Sequence, residues 1–275
     1  SCPCRQRPFQ CFVSKRTFAV MEKSKVYFTN LRTTNLEKVR ITLKVQKIKE
    51  LKLVPSNGEG FRTIEIATDE VIKALKPGVT ELQMVGIAQK VIYEHGAEYE
   101  GLPMYVFSES STRHAISRSS YKKIGKGDIV QLNLSAKIDG YSPAIGLPVI
   151  MGKLSEDRRA YIDFCLKAHD WTCERIKASV MASDIAKDFY KLYEENGYKD
   201  SFVYGPCHGT GMIEVEAPWM ETSSEYVLEE NMTFQIDTFI SAPTFGCRWE
   251  KGVAIKKDGC ESYTDYLKKG IILFA

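Results

Sequence analysis

The stretch Tyr204-Gly-Pro-Cys-His-Gly-Thr-Gly-Met-Ile-Glu-Val-Glu-Ala-Pro-Trp219 brings together residue types that can move a proton. His208 stands among small residues, and glycines at 205, 209 and 211 let the backbone approach whatever occupies the site. On a β-like segment Glu214 and Glu216 point to one face and Val215 to the other. An imidazole beside carboxylates is equipment for general acid–base chemistry. The plain alternative is a buried histidine in a glycine-rich turn, with Glu214 solvated or paired with Arg248. Cys207 and Cys247 lie nearby in the sequence pattern. A thiol beside an imidazole can act as a nucleophile, whereas two small buried cysteines is the simpler expectation. His114 sits in a polar loop over 108–120 with Arg113 and Arg118, where a surface histidine is the competing expectation. His95 and His169 fall on predicted helices and are assigned no chemistry.

The elements that would position these groups are legible from residue 61 onward. Ile64, Ala67, Val71, Ile72 and Leu75 have helical spacing, and Lys76-Pro77-Gly78 ends that helix. Thr80 with Gln83 forms a capping box for a second helix that ends near His95-Gly96. Met104–Phe107 and Ile129–Ser135 are predicted strands. Asp139-Gly140 is a hairpin turn, and Tyr141–Met151 is the returning strand. A long helix opens at Ser155 or Asp157, and another at Ser183 or Asp184 runs to Asn196-Gly197. Strands follow over Met232–Ile240, Gly246–Ile255 and Cys260–Tyr263. Two helices, a hairpin, two helices and three strands make an α+β plan, with helices on one face of a mainly antiparallel sheet. The repeated order suggests two related halves. Residues 55–60, Pro-Ser-Asn-Gly-Glu-Gly, are expected to be a linker.

The chain has 275 residues, 44% hydrophobic and 27% charged, which is ordinary for a globular protein. A net charge of +3 is too small to argue for nucleic acid or membrane. The basic stretch Leu36–Leu53 is read as a solvated face, with a nucleic-acid patch as the sharper alternative. No apolar run is long enough for a transmembrane helix and no signal peptide is visible. Eight scattered cysteines point to reduced thiols and a cytoplasmic setting. Cys2, Cys4 and Cys11 lack a nearby fourth metal ligand, and Met21 is a candidate natural start. Val26–Thr29 is a candidate strand.

Four stretches together resemble the pita-bread fold of the creatinase/aminopeptidase, or M24 peptidase-like, family. They are Ala74-Leu-Lys-Pro-Gly-Val-Thr-Glu81, Gly127-Asp-Ile-Val-Gln-Leu-Asn-Leu-Ser135 with Asp139-Gly-Tyr141, the His208 stretch, and Glu230-Asn-Met-Thr-Phe-Gln-Ile-Asp237 with Gly246-Cys-Arg-Trp-Glu250. The resemblance covers residues 58–275 and leaves 1–57 as an N-terminal extension or stub. Peptidases of this family hold two divalent metals with two aspartates, a histidine and two glutamates. Carried over, the first aspartate falls on Asn133 and the second on Ala144. The histidine is His208, the first glutamate is replaced by Asp237, and the second is Glu250. The further, non-ligand histidine of the peptidases falls on Val215.

The resemblance therefore implies a degenerate ligand set, because two metals need more charged donors than two carboxylates and an imidazole. Asn and Ala at the first two ligand positions also resemble creatinase, a metal-free hydrolase. The carboxylate that creatinase carries just after the Ala144 position is Gly146 here, and its histidine at the last position is Glu250. The expectation is a pocket with His208, His114, Glu216, Asp237 and Glu250, without cofactor or metal. It would hydrolyse an amidino or amide C–N bond in a small molecule or short peptide. Two other outcomes stay open: a catalytically silent binding module, and a one-metal aminopeptidase. By the same resemblance the chain is expected to form a homodimer.

Overall fold

A computed structural model describes residues 54–270 together with 272 and 273; side chains of 54–57 and of 272–273 are not described. The expected Val26–Thr29 strand, the basic 36–53 stretch and Cys2, Cys4 and Cys11 lie outside the described residues. The first described element corrects the linker expectation. Helix α1 spans Val54–Ala74 and takes in residues 55–60. Pro55 falls in its first turn, where a missing N–H removes no helical bond. Phe61, Ile64, Ala67 and Val71 form its buried face. Helix α2 spans Glu81–Glu94, and Thr80 and Gln83 close the expected capping box on it. Helices α3 (Glu156–Arg175) and α4 (Ala182–Glu195) form the second pair.

Among the described residues, nine strands form one sheet: β1 Tyr105–Ser108, β2 Ile129–Ser135, β3 Ala144–Ile150, β4 Cys207–Gly209, β5 Glu216–Met220, β6 Thr233–Ser241, β7 Gly246–Lys256, β8 Gly259–Ser262 and β9 Ile272–Leu273. The order is β1-β2-β3-β7-β6-β4-β5, with β8 on β7 and β9 on β3. All pairings are antiparallel except β9 on β3. The architecture is the pita-bread fold, a curved antiparallel sheet with each helix pair preceding its strands. Strand β2, Ile129-Val-Gln-Leu-Asn-Leu-Ser135, is buried at every residue. It is covered on one face by α1 and faces the pocket with the other. Asp139 and Gly140 both take positive φ, 51° and 82°, as an Asp-Gly hairpin turn requires.

The helix pairs lie on one face of the sheet. Cys165 of α3 packs on β6 and β7, donating its thiol to Thr238 O and Cys247 O, and Tyr193 of α4 donates to Phe239 O. Because side chains alternate along a strand, Trp249 and Lys251 of β7 turn toward these helices while Arg248 and Glu250 turn to the opposite face. No helix among the described residues is long and apolar enough to cross a membrane.

One buried carboxylate ties the first helix pair to the loop before β2. Glu81, fully buried, accepts from the backbone N–H and hydroxyl of Ser108 and from those of Ser120. Glu81→Ala would strand four donors, at a cost of about 3 kcal/mol. Thr80→Ala, which removes only the cap, is expected to cost about 1 kcal/mol. Urea unfolding of both variants checks this, and equal losses would show that the carboxylate is not holding the loop.

Candidate active site

The site forms where the two longest paired strands meet the short His208 strand. Asp237 of β6 and Glu250 of β7 are directly opposite each other in the ladder. Strand β4 lies on the other side of β6 and pairs His208 with Gln235. Gly209 allows the tight β4–β5 approach, since a Cβ there would lie 2.6 Å from the Ala217 carbonyl oxygen. His208 Nδ1 lies 3.0 Å from the Gly209 carbonyl, which fixes the ring. Its Nε2 then faces three carboxylates: Glu250 Oε1 at 3.7 Å, Asp237 Oδ2 at 3.9 Å and Glu214 Oε1 at 4.0 Å.

Arg248 and Tyr204 complete the group. Arg248 Nε lies 3.0 Å from Asp237 Oδ1, while its Nη2 donates to Tyr204 Oη at 2.9 Å and to Ala115 O at 3.0 Å. The Arg248–Asp237 contact is ionic, without the angle of a directed hydrogen bond. Tyr204 Oη lies 3.0 Å from both Asp237 oxygens. The cavity above these groups is about 300 Å³, with Leu102, Ile116, Val215 and Trp219 among its apolar walls.

The charges shift one another. Burial opposes an ionised Glu250, but His208 and Arg248 outweigh it and pull the carboxyl down to about 2. Burial, opposed by Arg248 but reinforced by the charge on Glu250, pushes Asp237 up to about 6. Burial and then Glu250 hold Glu214 well above the usual carboxylate range. Burial disfavours a charged His208, yet Glu250 and Asp237 more than compensate and raise it above the usual imidazole value.

The structure brings together His208, Asp237 and Glu250, as expected, and corrects two other assignments. Glu216 is outside the cavity lining: its carboxylate accepts the Ile213 N–H at 3.0 Å and lies against Gly211. The reason is a bend over residues 211–215, which breaks the strict strand alternation on which the Glu214/Glu216 pairing rested. The same bend turns Glu214 inward, 1% exposed, so it is buried instead of solvated, and it lies near enough to Arg248 for that charge to favour its ionised form. His114 is exposed after a 3₁₀ turn over Glu109–Arg113 and does not line the cavity; its neighbours Ala115 and Ile116 do. Cys207 and Cys247 are buried, as the simpler expectation had it. Sequence reasoning gave no site role to Arg248 or Tyr204. For Arg248 a signal was present: two residues before Glu250 on one strand, it must share its face.

The donor set does not fit two metal ions. Ala144 is fully buried and brings no donor atom, and Asn133 offers one neutral oxygen, buried and without a hydrogen-bond partner. Gly146 cannot be replaced by a carboxylate in this backbone, because a Cβ there would lie 2.8 Å from Glu250 Cβ. Within the cavity, His208, Asp237 and Glu250 place one donor atom each within 4.8 Å of one another, room for a single cation.

Residues 61–257 match the family described as metallopeptidase family M24. The Xaa-Pro dipeptidase of Pyrococcus furiosus is 28% identical over 227 residues, covering 79% of this chain and 64% of its own length. An uncharacterized peptidase of Bacillus subtilis is 26% identical and covers 87% and 66%. The chain thus spans about 64–66% of the length of these relatives. Among solved structures, an X-Pro aminopeptidase from Thermotoga maritima superposes with a TM-score of 0.76 at 24% identity, covering 80% of this chain and 62% of that one. The prolidase from Pyrococcus furiosus gives 0.76 at 24%, covering 78% and 64%.

Among the described residues, Arg248 is the guanidinium that touches Asp237. Arg248→Met is expected to cost about 3–5 kcal/mol near pH 8, because it leaves an uncompensated buried charge. Without Arg248 the Asp237 carboxyl rises further above about 6. A group raised in the folded state contributes stability below its unfolded value and loses it as pH rises through the folded value. The penalty should therefore shrink near pH 5, and urea unfolding at the two pH values measures the difference. An equal penalty at both would refute the assignment.

Proposed function

The chain belongs to metallopeptidase family M24, and from that premise we propose a hydrolase of an amide or amidino C–N bond that works without the two-metal centre. The observation that carries the proposal is His208 Nε2 facing three buried carboxylates, 3.7–4.0 Å away, on the floor of an apolar-walled cavity. The ligand is a small molecule or short peptide with a cationic nitrogen, attracted by the carboxylates. The active unit is the 58–275 domain, acting as a cytoplasmic homodimer.

The chemistry needs a base for water and an acid for the leaving nitrogen. Neutral His208 takes a proton from water through Nε2 as the oxygen attacks the substrate carbon. Protonated Glu214 gives its proton to the nitrogen as the C–N bond breaks. Passing the proton from His208 back to Glu214 restores both groups, so the balance is one water consumed per bond cleaved. Glu250 stays ionised and steadies the imidazolium. Asp237, held by Arg248 and Tyr204, keeps the second negative charge beside the nitrogen.

A second reading has one specific support, the 4.8 Å grouping of His208, Asp237 and Glu250. These three would hold a single divalent ion, which would supply Lewis-acid polarisation of the scissile carbonyl.

Under the proposed chemistry, turnover of small amides, amidines or Xaa-Pro dipeptides persists after dialysis against chelator. His208→Ala lowers kcat by about 10²–10⁴. The pH profile is bell-shaped, with one limb from His208, raised above the usual imidazole value, and the other from Glu214, raised well above the usual carboxylate range. Activity abolished by chelator and restored by one equivalent of metal would transfer support to the single-ion reading. Absence of turnover across these substrate classes, with or without metal, would leave a binding module.

A further inference from the structure

A second set of chemically distinctive side chains lies on the other face of the sheet. It includes His169, which the sequence gave no role. His169 and Cys173 are four residues apart on α3, so they share one helix face. Cys173 Sγ is 3.9 Å from His169 Nδ1, and the adjacent Asp170 puts Oδ1 3.2 Å from the same nitrogen. One atom from each of the three residues fits within a 4.8 Å group. The ring itself is fully buried, and its other nitrogen, Nε2, has no hydrogen-bond partner among the described residues. All of the ring's polar contacts thus fall on the Asp170–Cys173 side.

These separations match a coordination sphere. Around a tetrahedral ion with N and O ligands near 2.0–2.1 Å and a thiolate near 2.3 Å, ligand atoms lie about 3.3–3.6 Å apart. The observed 3.2 and 3.9 Å need a few tenths of an ångström of adjustment. One nitrogen, one sulfur and one carboxylate oxygen suit a borderline ion such as zinc better than calcium or magnesium. Asp170 is 63% exposed along its side chain, which gives the ion a way in and leaves a position for water. Cys260 of β8 is adjacent, but its thiol donates to the Cys173 carbonyl at 3.4 Å.

We propose that His169, Asp170 and Cys173 form a zinc-class metal site on the helix face of the sheet, separate from the His208 cavity. Binding replaces the Cys173 thiol proton, which leaves to solvent, and forms one metal–sulfur bond without change of oxidation state. Burial opposes binding, because it pushes the Cys173 thiol up to about 12, so the ion must displace that proton. Lys251, reaching Cys173 from β7, acts the other way on the thiol by favouring its ionised form, and its flexible stem lets the ammonium swing away from an arriving cation.

The test uses cobalt(II) as a spectroscopic stand-in for zinc, added to the full chain with Cys2, Cys4 and Cys11 changed to Ser. Thiolate-to-cobalt absorption in the near ultraviolet reports sulfur ligation, which the His208 cavity group cannot produce. One equivalent should develop the band, and zinc should displace it. Cys173→Ser should abolish the band, whereas Cys260→Ser and His208→Ala should retain it. Asp170→Asn should weaken the apparent affinity about tenfold or more. Lack of any thiolate band, or a band that survives Cys173→Ser, would overturn the proposal. Circular dichroism confirms that each variant is folded before its spectrum is read.

Discussion

Two carboxylates stand directly opposite each other in the middle of the sheet, and much of the site follows from that fact. Asp237 and Glu250 are cross-strand partners on β6 and β7 and both are buried. Like charges in that position repel, and burial makes the repulsion stronger. The pair persists because each carboxylate has its own counter-group. Arg248 and Tyr204 hold Asp237, and His208 faces Glu250. Arg248 is in turn fixed at its backbone by Gln131, whose side chain accepts the Arg248 N–H at 2.8 Å and donates to the Arg248 carbonyl at 3.2 Å. The central strand of the first half is thereby locked to the site in the second half.

The sheet separates two chemical environments that share one strand. Arg248 and Glu250 face the cavity, while Trp249 and Lys251 face the helices. Alternation along β7 thus lets consecutive residues serve opposite faces without interfering. The thiols follow the same division. Cys165 and Cys247 pack within the helix–sheet core, and burial drives the Cys165 thiol well above its usual value. Such thiols are inert, and their role is to fill the core. Cys173, at the edge of that core, is only half-buried and so has access to other partners.

Most of the fold was legible in the sequence because its signals are local. The Thr80–Gln83 box, the Asp139-Gly140 turn and the alternating run Ile129–Ser135 each specify their own element, and each was found where expected. The 55–60 segment was misleading because Pro, Ser, Asn and Gly mark turns on average, yet Pro is also welcome at a helix start. His208, Asp237 and Glu250 were legible through motif order. Glu214, Glu216 and His114 were not, because their placement depends on a bend and a 3₁₀ turn that no periodicity records. Residues 211–215 form a bend and the strand begins only at Glu216, so the two-residue period does not link the two glutamates. Glu214 enters the cavity while Glu216 accepts from the loop backbone.

The inward turn of Glu214 also sets the charge balance of the site. Asn133 and Ala144 leave the β2–β3 side without charge, but Glu214 enters from the β4–β5 loop and restores one carboxylate. Three carboxylates against one guanidinium leave two negative charges in a buried space, which is costly unless they are neutralised. The shifts run mainly toward that neutralisation: His208, Asp237 and Glu214 are each raised, and only Glu250 is lowered. Under the proposed chemistry Glu214 keeps its proton as the acid and His208 gives its proton up to serve as the base, their atoms 4.0 Å apart. The uncharged β2–β3 side and the inward turn of Glu214 therefore act together: the negative charge is gathered around His208, where carboxylates raise the imidazole and burial raises Glu214. That pairing of a raised imidazole with a raised carboxyl is what the proposed acid–base hydrolysis would draw on.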